Sequence, residues 1–300
     1  MTAMNSLALS RITPATRAVR AAARSAPTQR VEAALSYLVR GAQRPRSYAF
    51  PPPDGEPWEN SPFEARVVAL QDGRRHAHVA SVHQHGFELW DAPSSVADFR
   101  DGGAITSRYY AECAELALAA TAASRAHVFD HLLRRREPDR APLTFGRGAG
   151  GRAGANGRIH NDYTEASGRR RLRLVIPDER ERAGVRRYAI VNIWRSVRGP
   201  VLDTPLALCD ARTVSEADLV AADVLYPGRT GEIYFMAWSP QHRWTWYPAM
   251  DRHEALVFKQ YDSAQGVARF TPHAAFDLPH PPADAPPRES IEVRCLVTYD

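Results

Sequence analysis

From Ile159 to the end, the chain is a succession of short apolar runs cut by turn residues, and this pattern limits the fold most. The runs at 171–176, 188–194, 205–208, 232–238, 244–247, 255–260, 267–270 and 290–297 read as strands. Pro177-Asp178, Gly199-Pro200, Pro227-Gly228 and Ser239-Pro240 punctuate them. Many short strands at this spacing specify a sandwich or a barrel. Such an architecture often fills 300 residues as one unit.

The first half is mixed. Residues 1–31 lack Asp and Glu and carry Arg11, Arg17, Arg20, Arg24 and Arg30, a composition shared by transit peptides and flexible basic extensions. The extension is the simpler reading. A short helix is expected over 31–38. Pro45, Pro51, Pro52, Pro53 and Pro57 demand an extended arm over 44–60, since proline lacks an amide donor. Runs at 65–70 and 78–82 suggest a hairpin through a turn at 71–74. Tyr110, Leu116 and Leu118 give 108–125 the apolar stripe of a helix. A strand follows at 126–130, then a Gly-, Pro- and Arg-rich loop over 137–158. Loops of that length inside a domain are usually functional or mobile. The fold class expected is α+β, mainly β: an α/β amino-terminal part on a β core of about 159–300, together one domain over 32–300.

The formal charge is +5, yet Lys259 is the only lysine among 39 basic residues. Runs such as Arg134-Arg135-Arg136 and the arginines of 169–173 come with no nucleic-acid motif, so a solvated basic face is the better reading. No apolar run approaches the roughly 18 residues of a membrane span. Cys113, Cys209 and Cys295 are widely spaced and lack CxxC. They indicate neither a disulfide framework nor a zinc knuckle, and fit a reducing, cytoplasmic setting.

His160-Asn161-Asp162 is the pattern that carries chemistry. On a strand, residues i and i+2 share a face, so one short segment offers an imidazole and a carboxylate to one metal. His273, 113 residues on, is a third ligand. Two histidines and a carboxylate form the open face of non-heme Fe(II) oxygenases. Arg288 and Ser290 follow, opening an apolar run. A guanidinium facing inward there needs an anion. Glu289 or Glu292 could supply it, and so could the distal carboxylate of 2-oxoglutarate, with Ser290 donating a further hydrogen bond. The cluster His76, His78, His83 and His85 straddles an expected strand without a carboxylate in register and is read as structural.

Longer stretches then carry a resemblance. They include Phe129-Asp130-His131, Ile159-His160-Asn161-Asp162-Tyr163-Thr164, Asn192-Ile193-Trp194-Arg195, His242-Arg243-Trp244, Phe258-Lys259-Gln260-Tyr261-Asp262-Ser263 and Pro286-Pro287-Arg288-Glu289-Ser290. From about residue 36 to the end, the sequence resembles the hydroxylase/desaturase family of secondary metabolism. That family includes the cephamycin 7-alpha-hydroxylase component and fungal, gibberellin desaturase-like enzymes. The resemblance implies a 2-oxoglutarate/Fe(II) oxygenase with a double-stranded β-helix (jelly-roll, cupin-like) core. It implies that His160, Asp162 and His273 hold iron, that Arg288 and Ser290 hold 2-oxoglutarate, and that O2 is consumed. The 15-residue gap from His273 to Arg288 is long for such enzymes and leaves Arg294 as a substitute anchor.

Other residues are candidates of lower rank. Lys259 is expected either to touch the cosubstrate or to hold Asp262. Trp194, Arg195 and Arg134 are expected to bind substrate, a small molecule rather than nucleic acid or membrane. The alternative function is a non-catalytic or metal-binding subunit presenting substrate to a methyltransferase or other pathway-enzyme partner.

Overall fold

The structure is a computed structural model that describes residues 13–14, 30–75, 80–137, 143–147 and 153–300. Two sheets dominate it. The first runs, edge to edge, through β1 (Thr13–Pro14), β5 (Phe87–Asp91), β15 (Glu254–Asp262), β10 (Arg187–Ser196), β17 (Glu289–Tyr299), β6 (Arg125–Arg135), β8 (Ala153–Asn156) and β7 (Phe145–Arg147). The second runs through β2 (Arg30–Leu38), β4 (Phe63–Asp72), β14 (Trp244–Trp246), β11 (Leu206–Cys209), β16 (His273–Ala275), β9 (His160–Asn161), β13 (Arg229–Met236), β12 (Leu219–Tyr226) and β3 (Arg46–Tyr48). Strands before residue 159 enter both sheets, with β6 paired along β17 and β5 along β15.

The inner faces of the two sheets meet. Trp194, Leu256 and Phe258 from the first pack with Leu206 and Leu208 from the second. The outer face of the first sheet carries Val191, Ile193, Val257, Ile291, Val293 and Cys295. Against it lies α1 (Tyr110–Thr121), which buries Cys113, Leu116 and Ala117. Burying such side chains fully is worth roughly 1.5–3 kcal/mol each. Together the facing sheets form the expected jelly-roll, mainly β with a helical layer on one side.

Several local expectations are corrected. Residues 31–38 form strand β2, not a helix, because Ala33, Leu35 and Tyr37 alternate inward while every residue from Arg30 to Leu38 pairs with β4. Residues 171–175 belong to α2 (Glu165–Val175) rather than a strand, and Ile176 caps its C-terminus. Thr164 and Ser167 close a reciprocal capping box that nucleates this helix. Residues 267–270 are irregular, and the strand falls later, at β16. The 65–70 run lies in β4, whose partners are β2 and β14. Of its expected hairpin mate, 76–79 lie outside the described residues and 80–82 are not strand. The 137–158 loop contains β7 and β8, with 138–142 and 148–152 outside the described residues. Most of the basic extension expected over 1–31 also lies outside them. Cys113, Cys209 and Cys295 are free and buried.

Candidate metal centre and active site

Strand pairing brings the two histidines together. His160 is directly opposite His273 across the β9–β16 pair, and their ring centroids are 4.4 Å apart. Asp162 follows the end of β9, with Oδ1 3.4 Å from His160 Nε2. One ligand atom from each of the three residues lies within 4.8 Å of the others, the one such group among the described residues.

Each ligand is held by a neighbour. His160 Nδ1 lies 2.8 Å from the Arg158 carbonyl, and His273 Nδ1 lies 3.2 Å from the Thr271 carbonyl. A ring that donates Nδ1–H to a carbonyl keeps its Nε2 lone pair for a metal. Burial first, then the proximity of His160, presses His273 down to about 3, so its ring is neutral. Asp162 Oδ2 accepts from Arg294 Nε and from Asn192 Nδ2, both at 2.9 Å. Those bonds leave Oδ1 for the metal side. Burial would raise this carboxyl, but Arg294 and then His160 hold it well below the usual carboxylate range. The donors present, two imidazoles and an ionised carboxylate on one face, fit Fe(II).

Arg288 enters from the start of β17. It is buried, with Nη1 donating to the Thr204 carbonyl at 2.9 Å and its guanidinium carbon 5.7 Å from the Trp194 ring centre. Its Nε has no partner, and neither does Ser290 Oγ. Burial, then the charge of Arg134, pushes the guanidinium down to about 10. Two buried donors without a partner, one of them on a guanidinium that Asp203 and Glu292 influence only at a distance, could receive an anion. Arg294, the other anchor considered, has Nε on Asp162, Nη1 on Asp130 at 3.0 Å and Nη2 on Glu292 at 2.9 Å. Its nitrogens are engaged, which favours Arg288.

Other expected residues fall elsewhere. Lys259 Nζ is sealed on Asp262 Oδ2 at 2.8 Å, and Arg187 clamps the same carboxylate. It shares the outer face of β15 with Val257, away from His273 and the metal face, where it holds Asp262. Arg195 is turned away under α1, donating to Tyr109 Oη and to the carbonyls of Ala92 and Arg252. It is a structural residue rather than a substrate ligand. Trp194 faces inward but packs in the core against Arg288. Arg134, opposite Ser290 on β6, lines the same cavity of about 1140 Å³ as His160, Asp162 and Arg294.

Asn192 and Asn156 are not among the candidates the sequence singles out, and Glu292 is named there only as a partner for Arg288. Asn192 interrupts the apolar strand β10, and a polar residue sharing the inward face of Trp194 was the available signal. Glu292 shares the face of Ser290 and Arg294. Burial raises its carboxyl and Arg294 opposes the rise. Asn156 sets its amide 3.3 Å from His160 Nε2, at the edge of the metal face.

Comparison with known proteins agrees with this geometry. Residues 35–298 match a family model described as an oxidoreductase/YMDC permease-like domain. No helix among the described residues is long and apolar enough to cross a membrane. The hydroxylase/desaturase CTB9 of Cercospora beticola is 35% identical over 260 residues, covering 79% of this chain and 78% of that protein. The alpha-ketoglutarate-dependent dioxygenase tstK of Talaromyces stipitatus is 30% identical over 266 residues, covering 80% and 93%. Among solved structures, the iron and alpha-ketoglutarate-dependent endoperoxidase NvfI superimposes with a TM-score of 0.79 at 25% identity, covering 91% of this chain and 99% of that one. These relatives are named as enzymes, so a non-catalytic methyltransferase partner is not favoured. Fold, metal face and relatives agree: the chain belongs to the hydroxylase/desaturase family of Fe(II)/2-oxoglutarate-dependent dioxygenases.

Proposed function

We propose that this chain hydroxylates or desaturates a small organic molecule, with iron on His160, Asp162 and His273 and the distal carboxylate of 2-oxoglutarate on Arg288 and Ser290. Residues 32–300 act as one oxygenase domain in this reading, and three buried thiols suit a reducing, cytoplasmic compartment. The observation that carries it is the pairing of a three-donor face with two buried donors left without a partner.

Fe(II), when bound, supplies open positions where 2-oxoglutarate and O2 react, giving succinate, CO2 and the oxidising power to remove hydrogen from a C–H bond. The chain's own residues do the positioning. Arg158 and Thr271 fix the ring tautomers, while Asn192 and Arg294 keep Asp162 ionised and turned. Arg288, Ser290 and Trp194 form the socket for the cosubstrate's far end. Arg134, at the cavity wall, orients the substrate.

Anaerobic titration with Fe(II) and then 2-oxoglutarate should develop a weak visible charge-transfer band, and O2 should then release succinate. Substituting His160, Asp162 or His273 with Ala should remove both signals. A folded Asp162→Ala protein that still releases succinate takes that carboxylate out of the reaction.

A further inference from the structure

The cavity that reaches the metal face carries more cations than anions. Five arginines line it: Arg134, Arg170, Arg171, Arg229 and Arg294. Its acids are Asp130, Asp162 and Glu232. Asp130 and Asp162 are taken by Arg294, and Glu232 by Arg44 and Thr164. Arg134, Arg170, Arg171 and Arg229 therefore have no carboxylate at ion-pair distance among the described residues. Other arginines of the chain do find a carboxylate, as in Arg74 with Glu254, Arg158 with Glu59 and Arg187 with Asp262.

For the exposed Arg170 and Arg229, solvent is partner enough. The half-buried Arg171 is different. Its Nε is buried with no acceptor, while its guanidinium carbon sits 4.6 Å from the Phe129 ring centre. The guanidinium lines the cavity with Tyr163 as a side-chain hydrogen-bond neighbour, and a planar fork so placed has donors to spare for an oxyanion. Apolar side chains share the wall with polar ones: Phe50, Leu132, Phe145 and Ile233 line it, with Trp58 and Leu174 at 38% and 64% exposure. Large side chains of that kind at a cavity wall fit an apolar ligand body.

We infer that the substrate is an amphiphilic organic acid, its apolar or aromatic body on the cavity wall and its one oxyanion received by Arg171, with Arg170 and Arg229 drawing it in. The inference rests on the oxygenase reading above for the reaction, but not for the binding. Arg171 and Arg170 come from the second turn of α2, whereas Arg229 opens β13. The Thr164–Glu232 hydrogen bond ties these two elements together at the start of the helix. The anion is thus gripped away from the metal face, and the reacting carbon extends towards it.

The test uses the full chain with Fe(II) and 2-oxoglutarate under anaerobic conditions. Two fluorescent probes are titrated: 8-anilinonaphthalene-1-sulfonate and N-phenyl-1-naphthylamine, the same rings without the sulfonate. The sulfonate should bind about tenfold more tightly, a difference of about 1.4 kcal/mol. Arg171→Gln and the exposed pair Arg170→Gln/Arg229→Gln should each weaken the sulfonate several-fold and leave the neutral amine unchanged. 1-Naphthoate or 1-naphthyl phosphate should displace the bound sulfonate, each arm reporting one kind of acid, and 1-naphthalenemethanol should not. Equal affinity for the two probes, no binding of the sulfonate, or unchanged sulfonate affinity in the exposed pair overturns the inference. Succinate release by the wild-type protein is read separately. Its absence with probe discrimination intact removes the oxygenase reading and leaves an acid-binding cavity.

Discussion

Arg294 and Asn192 occupy the same oxygen of Asp162, Oδ2, and so turn Oδ1 towards His160. The carboxylate is thereby ionised and aimed before any metal arrives. Arg294 acts through Asp162, as a positioning residue. Loss of such a support typically lowers metal affinity about 10- to 100-fold. Arg294→Gln should show that loss in an anaerobic Fe(II) titration, while the 2-oxoglutarate KM, measured at saturating iron, changes little. A large KM change with iron affinity intact would make Arg294 the cosubstrate anchor instead.

Arg288 should behave in the opposite way. Its Nε has no protein partner, so Arg288→Gln breaks few contacts within the fold. Charge-assisted hydrogen bonds are worth about 1.5–3 kcal/mol, or roughly 10- to 100-fold in affinity. The 2-oxoglutarate KM should rise by that factor with Fe(II) affinity unchanged, and Ser290→Ala should raise it only a few-fold. An unaltered KM in a folded Arg288→Gln protein excludes this anchor.

The buried cluster of Lys259, Asp262 and Arg187 predicts a pH signature. Burial alone would raise the Asp262 carboxyl, yet Arg187 and then Lys259 hold it below its ordinary 3.8. The unfolded chain therefore takes up this proton at higher pH than the folded one. The stabilisation is complete above the unfolded value and is lost as pH falls through the folded one. Asp262→Asn should cost about 3 kcal/mol near pH 7, since it strands a buried cation. Its gap to wild type in denaturant unfolding should narrow below about pH 4. Constant separation at all pH values contradicts the ion cluster. A folded Lys259→Met protein should keep its 2-oxoglutarate KM.

Arg195 makes a plainer case. Truncation to Ala would take the donors away from the buried Ala92 carbonyl, the half-buried Arg252 carbonyl and the Tyr109 hydroxyl. Each unsatisfied group costs about 1–3 kcal/mol, so a loss of roughly 3 kcal/mol or more is expected in thermal or denaturant unfolding. Turnover per folded molecule should persist. A stable but inactive Arg195→Ala variant would return this residue to the substrate pocket.

Much of the metal face was legible, because His-x-Asp sets two donors on one side of an extended segment and needs no knowledge of the rest. What pairs with it was not. That His273 faces His160 depends on β9 lying beside β16, a long-range choice the local pattern does not encode. Some errors were avoidable. Trp194 and Arg195 are neighbours on a strand and must face opposite ways, so both could not line one pocket. Others were not. Val31 to Leu38 is rich in Ala and Leu and reads equally as helix until β4 supplies its hydrogen bonds. The alternating Arg-Leu run of α2 mimics a strand, and only the Thr164–Ser167 cap upstream reveals the helix.

Along β17 the inward positions are Arg288 at its threshold, then Ser290, Glu292 and Arg294, while Ile291, Val293 and Cys295 face α1. This strand is hydrogen-bonded on both flanks, to β10 and to β6. A slip of one residue would turn the whole polar row into the greasy helical layer and lose cosubstrate grip and iron orientation in a single step. Descendants of such a chain can rebuild the cavity mouth freely, but this one ribbon must be inherited at fixed length.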